Sequence, residues 1–480
     1  MTRYRALAEE LARSIQAGVF RPGERLPSVR QTCSARKVSP ATVFQAYYLL
    51  EAQGLVESRP RSGYYVAPHP PPRLPEPETP SRPDGDSRTL DVSALVFGVL
   101  ESAMQRDLVP FGSAFPSPLL FPLSRLGRAL ATSAVELDPW RTVDDLTPGH
   151  AELRRQISQR YLVDGIEVAA DEIVITNGAL EALNLSIAAV TRPGDAVLVE
   201  SPCFYAVLQT LERSGLRAIE VPTHPREGVD LDALEAAIGR HAPRACWLMP
   251  TFHNPLGATM PESAKRALVE LLAAHDIPLV EDDVYAELHH APKRQPPAKA
   301  FDRNGRVLHC SSFSKCLAPG YRIGWVAAGR HRETIARLKL TSTLNTNVPA
   351  QLAIARYLQR GGYERHLRRL RATLAAQQAQ YLDAITRYFP DGVRVTRPQG
   401  GYFLWLELPH GNDALALHRQ ALEHGMSLAP GPIFSARREF GHCLRLNAGH
   451  PLDERADAAL RTLGTLVARR QDRASPDGVA

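Results

Sequence analysis

In the first sixty or so positions, apolar residues recur at helical spacing in three short bursts. Leu7, Leu11 and Ile15 share one face of a helix predicted over residues 4–17 and ended by Gly18. After the Pro22-Gly23 turn, Ser28 with Gln31 three residues later has the spacing of a capping box and opens a second short helix. Ser39-Pro40 puts an N-cap ahead of a proline at the first helical position, so a third helix runs to about Gln53 and stops at Gly54. Two short extended stretches come next, 54–57 and 63–66, around the basic tip Ser58-Arg59-Pro60-Arg61-Ser62. Proline then occupies half of positions 68–83, which excludes a helix or an interior strand. From about residue 91 apolar runs of strand length alternate with longer helical periods, the pattern of an α/β domain.

This divides the 480 residues into a small segment at 1–67, a spacer at 68–90, a large domain at 91–472 and a tail at 473–480. The proline-rich stretch is expected to be extended, spanning up to roughly 50 Å at about 3.1 Å per residue and leaving the distance between the domains unfixed. No apolar run reaches membrane-spanning length, and the first helix carries charges throughout, so no membrane partner is expected and the chain is placed in the cytoplasm. The six cysteines are scattered without metal-ligand spacing, which suggests reduced thiols and no metal.

Charge separates the two domains. Residues 1–67 hold ten Lys/Arg against five Glu, and the rest of the chain holds 47 basic against 46 acidic residues. Nearly all of the formal net charge of +6 therefore sits on the small segment, where it would attract a polyanion. Three helices and a two-stranded ribbon make a winged helix-turn-helix. Charge alone does not distinguish DNA binding from protein docking.

In the large domain the chemistry lies just past the end of each strand. Residues 172–176 lead into Asn177-Gly178-Ala179 and a helix, a turn whose backbone N–H groups suit a phosphate. Residues 196–199 lead to Phe204, 245–249 to His253-Asn254-Pro255, 277–280 to Asp282 and Tyr285, and 307–310 through a turn at 311–314 to Lys315. Taken singly, each of these is an ordinary turn or solvated cluster. Together, five successive strand ends present an anion cradle, an aromatic face, an amide, a carboxylate with a phenol, and an amine to one crevice. That set is what pyridoxal 5'-phosphate requires.

Two resemblances sharpen the reading. Gly18, Pro22-Gly23, LPSVR at 26–30, VSPATV at 38–43, Gly54-Leu55-Val56 and RSGYYV at 61–66 resemble the DNA-binding domain of the GntR regulators. The resemblance implies that the third helix enters the major groove of double-stranded operator DNA and the wing tip the minor groove. Ser28, Arg30, Ser39, Thr42, Gln45, Arg59 and Arg61 are the implied contacts. Pro40 stands where many members carry Arg, so base readout falls to Thr42, Gln45 or the wing.

Residues 91–472, above all SFSKCLAPGYRIGW at 312–325, resemble the fold-type I aminotransferases. Their fold is a large α/β subdomain with a mostly parallel sheet and a small α+β subdomain. The resemblance implies that Lys315 forms the internal aldimine with pyridoxal phosphate, Asp282 pairs with the pyridine nitrogen, and Tyr285 and Asn254 bond the ring hydroxyl. Gly178, Ala179, Ser312 and Arg322 hold the phosphate, and Phe204 stacks on the ring where relatives commonly have Tyr. Arg445, in CLRLNAG at 443–449, takes a substrate carboxylate. His253 receives no role.

The order of winged helix, proline-rich spacer and aminotransferase domain resembles the MocR subgroup of GntR regulators. That implies a head-to-tail homodimer that binds DNA and senses a small amino compound, or the vitamer itself, at the cofactor site. The alternative is a working aminotransferase to which a DNA-binding domain has been attached, since every assignable catalytic position is filled.

Overall fold

The computed structural model describes residues 3–16, 19–52, 54–59, 62–67, 74–105, 107–140, 148–409 and 411–474. Arg61, residues 68–73, the expected helix stop at Gly18, the expected last helical residue Gln53, and residues 475–480 of the tail lie outside the described residues. The chain divides into two compact units, Met1–Leu74 and Pro75–Ala480.

The first unit has helices α1 (Arg3–Gln16), α2 (Val29–Arg36) and α3 (Pro40–Ala52) and the antiparallel pair β1 (Val56–Arg59) and β2 (Gly63–Val66). Leu7, Leu11, Ile15, Val43, Tyr47 and Leu50 form its core. Tyr47 fixes how α3 sits against α2: its buried hydroxyl donates to Pro27 O at 2.6 Å and lies 2.8 Å from Thr32 Oγ1. Ser28 caps α2, and the predicted capping box with Gln31 is complete.

The second unit is built on a nine-stranded sheet. Its strands are β3 (Ser87–Arg88), β4 (Ile173–Thr176), β5 (Ala196–Ser201), β6 (Arg217–His224), β7 (Gly228–Val229), β8 (Ala245–Leu248), β9 (Leu279–Asp282), β10 (Val307–Ser312) and β11 (Gly324–Ala327). The order is β3-β6-β5-β8-β9-β10-β11-β4, with β7 on β6. Strands β6, β5, β8, β9 and β10 pair in parallel; β11 is antiparallel to both β10 and β4, so β4 points the same way as β10. All five strands singled out in the sequence thus end at one edge of the sheet. Alternate residues serve two cores: Val197, Trp247, Val280 and Leu308 on one face, Leu198, Cys246, Leu279 and Val307 on the other. Burial on both faces explains why these strands read as unbroken apolar runs. A four-stranded antiparallel sheet completes the unit: β12 (Arg394–Val395), β13 (Phe403–Glu407), β14 (Ala429–Pro430) and β15 (Cys443–Asn447), in the order β12-β13-β15-β14. Among the described residues no helix is long and apolar enough to cross a membrane.

Three expectations are corrected. β9 begins at Leu279 rather than 277, because Pro278 has no N–H to give and pairing starts beside Cys246 and Val307; Asp282 is therefore a strand residue. β10 continues through Ser311 and Ser312, which pair with Trp325 and Gly324, so the turn before Lys315 is shorter than 311–314. The spacer is not free over its whole length: residues 75–88 are laid along the second unit, where β3 adds to β6 as an antiparallel edge strand.

The segment after β9 is pinned by arginines. Asp283 meets Arg294 at 2.6 Å and His309 at 2.9 Å; Glu287 meets Arg160 at 2.6 Å and Arg371 at 2.9 Å. This fixes the backbone on either side of Tyr285. Arg160 and its cationic neighbours hold the Glu287 carboxyl at about 2, against 4.5 for an ordinary glutamate and against the opposing pull of burial. Its contribution to stability is full above about pH 4.5 and is lost as the pH falls toward 2. Glu287→Gln, which leaves those arginines without their carboxylate, should lower the unfolding free energy by about 3–5 kcal/mol in urea denaturation at neutral pH. A loss below about 1 kcal/mol would show the arginines to be satisfied without it.

Candidate functional site

At the β4 end, Gly178 has φ 82° and precedes the helix Ala179–Val190, whose first-turn N–H groups have no partner within the helix. The positive φ favours glycine at 178, and a side chain there would push the Arg322 guanidinium out of its place over the helix start. Arg322, itself left-handed at φ 53°, donates from Nη1 to Ser314 Oγ at 3.3 Å and from Nη2 to Asn177 O at 3.2 Å. Ser312 Oγ accepts from Ser314 N at 3.3 Å. Gly178, Ala179, Ser312 and Arg322 thus lie in one cluster of donors. Ser314 belongs to the same cluster and was missed; its signal was the alternation of serines in Ser312-Phe313-Ser314.

Lys315 is partly buried. Its Nζ donates to Ala114 O at 2.8 Å, lies 3.6 Å from the Phe115 ring centre and 5.8 Å from that of Tyr285. Burial, helped by Arg445 and opposed by Asp282, brings the amine down to about 7. A lysine near neutrality is a competent nucleophile. The Tyr285 hydroxyl is raised by burial, and its ring packs against Tyr402 and Phe403 at 5.7 and 5.5 Å.

Asp282 is buried and its Oδ1 has no hydrogen-bond partner. Burial first, and Asp283 next, push its carboxyl up to about 7. Asn254 is equally buried; its Oδ1 accepts from Arg445 Nη1 at 3.0 Å, while its Nδ2 is unpartnered. An orphaned acceptor and an orphaned donor in one cleft are the complement of a protonated ring nitrogen and a ring oxygen, and pyridoxal phosphate carries both. Phe204 is half-buried at the start of the helix Tyr205–Arg213, with its ring 4.6 Å from Tyr205. The donor cluster, the amine and this pair of orphans fit the cofactor.

Arg445, on β15 of the smaller sheet, is wholly buried. Its Nη2 donates to Gly112 O at 2.6 Å and Ser113 O at 3.1 Å, and its plane lies 4.3 Å from the Phe403 ring centre. Sequence reasoning missed this partner segment. Residues 112–114 supply carbonyls to both Arg445 and Lys315, and Tyr402 Oη also donates to Ala114 O at 3.0 Å. No periodicity marks a loop whose role is to offer backbone oxygens.

In the winged helix, the Ser28 and Ser39 hydroxyls are helix caps: Ser28 Oγ accepts from Gln31 N, and Ser39 Oγ accepts from Thr42 N at 3.3 Å and lies 2.9 Å from Thr42 Oγ1. Arg30, Gln45 and Arg59 are exposed, with Arg59 stacked 4.3 Å over Tyr65 in the wing. Arg61 lies outside the described residues.

Residues 145–463 match the family described as aminotransferase class I and II, and residues 3–66 the bacterial regulatory proteins of the gntR family. Over 470 residues the chain is 47% identical to the uncharacterized HTH-type transcriptional regulator YdcR of Escherichia coli, covering 98% of this chain and 100% of that protein. The similarly named YjiR of the same organism is 40% identical, again over 98% and 100%. Among solved structures, LysN of Thermus thermophilus, an α-aminoadipate aminotransferase complexed with N-(5'-phosphopyridoxyl)-L-leucine, superposes with a TM-score of 0.71 at 30% identity, covering 79% of this chain and 95% of that one. The chain belongs to the transcriptional regulators in which a GntR winged helix is fused to an aminotransferase class I and II domain, the MocR architecture, and its large domain is a pyridoxal phosphate domain.

Proposed function

We propose that this regulator binds operator DNA through residues 1–67 and senses a small amino compound at the pyridoxal phosphate site, as a homodimer in the cytoplasm. The observation that carries the reading is that the cleft is equipped for an amine and a carboxylate at once: the Lys315 amine and the Arg445 guanidinium converge on the carbonyls of residues 112–114. When bound, pyridoxal phosphate supplies an aldehyde that condenses with primary amines and a ring that withdraws electrons. Lys315, whose amine is brought down to about 7, would be the group that takes the aldehyde. Asp282 Oδ1 would accept a hydrogen bond from the ring nitrogen, and Asn254 Nδ2 and Tyr285 would donate to the ring oxygen. Ser312, Arg322, Gly178 and Ala179 bind the phosphate, and Phe204 covers the ring. A ligand carboxylate would reach Arg445 by displacing the Gly112 and Ser113 carbonyls, which sets the effector class as amino acids and their analogues. A symmetric dimer presents two winged helices to two half-sites. A working aminotransferase to which a DNA-binding domain has been attached is not favoured, because the relatives matched along the full chain are named regulators.

Lys315→Ala should abolish the visible absorbance of bound cofactor. In the wild type, cofactor capture should accelerate with pH around a midpoint of about 7 and then level off. Capture independent of pH, or a variant that keeps the band, would remove Lys315 from its role. Asp282→Ala should weaken pyridoxal phosphate binding by about 10- to 100-fold, the range for a lost charge-assisted hydrogen bond, in an equilibrium titration. Unchanged affinity would show that Asp282 does not meet the ring. For DNA, full-length protein with Arg59→Ala should lose about one unit of the slope of log affinity against log salt, equally on all duplexes. A slope identical to the wild type would take Arg59 off the phosphate backbone.

A further inference from the structure

Residues 75–88 are seated on both sheets of the second unit. At one end, Val395 N on β12 of the smaller sheet donates to Pro75 O at 3.0 Å, and the Glu76 carboxylate lies 3.1 Å from Arg226 and 3.9 Å from Arg397. In the middle, Ser81 is locked to the larger sheet. Its N–H donates to Thr223 O at 3.3 Å, and its Oγ accepts from Thr223 N at 3.0 Å and donates to Ser201 O. Farther on, Asp84 meets Arg437, in the loop between β14 and β15, at 2.9 Å, and Ser87 and Arg88 pair with Ile219 and Ala218 of β6.

Ser201 is the last residue of β5 and stands three residues before Phe204. The loop between them is tied to the smaller sheet's side by Cys203 N, which donates to Phe434 O at 2.8 Å. The buried Ser201 side chain is occupied with Glu220 Oε1 at 3.3 Å, so its carbonyl is the atom left to report the loop's position to Ser81. A proline-rich spacer with no further task would not need both sheets. In this chain it touches β12, β6 and the carbonyl that leads to the ring-facing aromatic, and through residues 68–73 it continues to the winged helix.

We propose that residues 75–88 are a strap that passes the setting of the two sheets and the Phe204 loop to the chain entering the winged helix, with Ser81 as its positioning residue. This rests on the sensor reading above and gives it a route. Lys315 and Asp282 belong to the larger sheet and Arg445 to the smaller. Cofactor covered by Phe204 would set that loop and with it the Ser201 carbonyl, and a ligand that also reached Arg445 would set the two sheets against each other; a strap bonded to all of these must shift its exit point.

The test uses full-length protein with pyridoxal phosphate as the probe. Amide hydrogen exchange across residues 75–90 and at Thr223 is measured with and without the cofactor, for wild type, Ser81→Ala and Ser81→Thr. In the wild type, cofactor loading should slow exchange at Ser81 and Thr223 by about fivefold, the worth of one hydrogen bond. Ser81→Ala should lose that response while its β9 and β10 amides exchange as in the wild type, and Ser81→Thr, which keeps the hydroxyl, should restore it. DNA affinity of cofactor-free Ser81→Ala should equal that of the wild type and no longer change on loading. Exchange in the wild-type strap that ignores the cofactor, or an alanine variant that responds as the wild type does, would overturn the proposal. A strap that responds while wild-type DNA affinity ignores both cofactor and amino acids would instead contradict the sensor reading.

Discussion

The second unit depends on a buried carboxylate that it does not satisfy by itself. Glu281, Asp282 and Asp283 stand in succession at the end of β9, all almost fully buried. Three adjacent carboxylates in such a place would be prohibitively costly unless each had an answer. Glu281 accepts from the N–H groups of Ala298 and Lys299 at 2.6 and 2.9 Å, and Asp283 is held by Arg294 and His309. Asp282 and Asp283 each keep one oxygen without a hydrogen-bond partner; Asp283 answers its charge through the other oxygen, while Asp282 carries a carboxyl pushed up to about 7 by burial first and Asp283 next. On the proposed reading, a protonated ring nitrogen of the cofactor would be the donor that Asp282 Oδ1 lacks. The surrounding pairs therefore do two things at once: they stabilise the strand end, and they leave Asp282 Oδ1 without a partner.

The same logic orders the remaining site. Glycine at 178 lets the Arg322 guanidinium close over the helix N-terminus, and Asn254 uses its oxygen on Arg445 while its N–H group stays free. Arg445 is buried against Phe403 with its two terminal nitrogens bonded to Asn254 Oδ1 and the Gly112 and Ser113 carbonyls, while its Nε has no partner. On the proposed reading the segment 112–114 stands in for a ligand's acceptors, and a carboxylate would replace those bonds rather than simply fill a gap.

Much of this was legible in the sequence, because strands buried on both faces announce themselves as apolar runs and their ends are punctuated by Gly, Pro and charged residues. The winged helix was read from its caps: the Ser28–Gln31 box and the Ser39-Pro40 start stand where their side-chain chemistry puts them. What could not be read were interactions made by backbone atoms or between segments distant in sequence. The carbonyls of 112–114 carry no side-chain signature. Ser81 looks like any serine among prolines until Thr223 and Ser201 are brought beside it. The start of β9 was misread because Pro278 continues the apolar run yet has no N–H for the ladder. Among the described residues of the spacer, 74–90, there is no helix, but proline content said nothing about whether the extended chain would be free or laid along a sheet edge.

The most direct test is a titration of full-length, cofactor-loaded protein with a panel of amino acids, tracking the visible spectrum of the cofactor and the affinity for a selected DNA duplex in the same samples. For at least one amino acid, both should change over the same concentration range and with the same midpoint. A spectral change at constant DNA affinity for every compound in the panel would contradict the view that the pyridoxal phosphate site is a sensor.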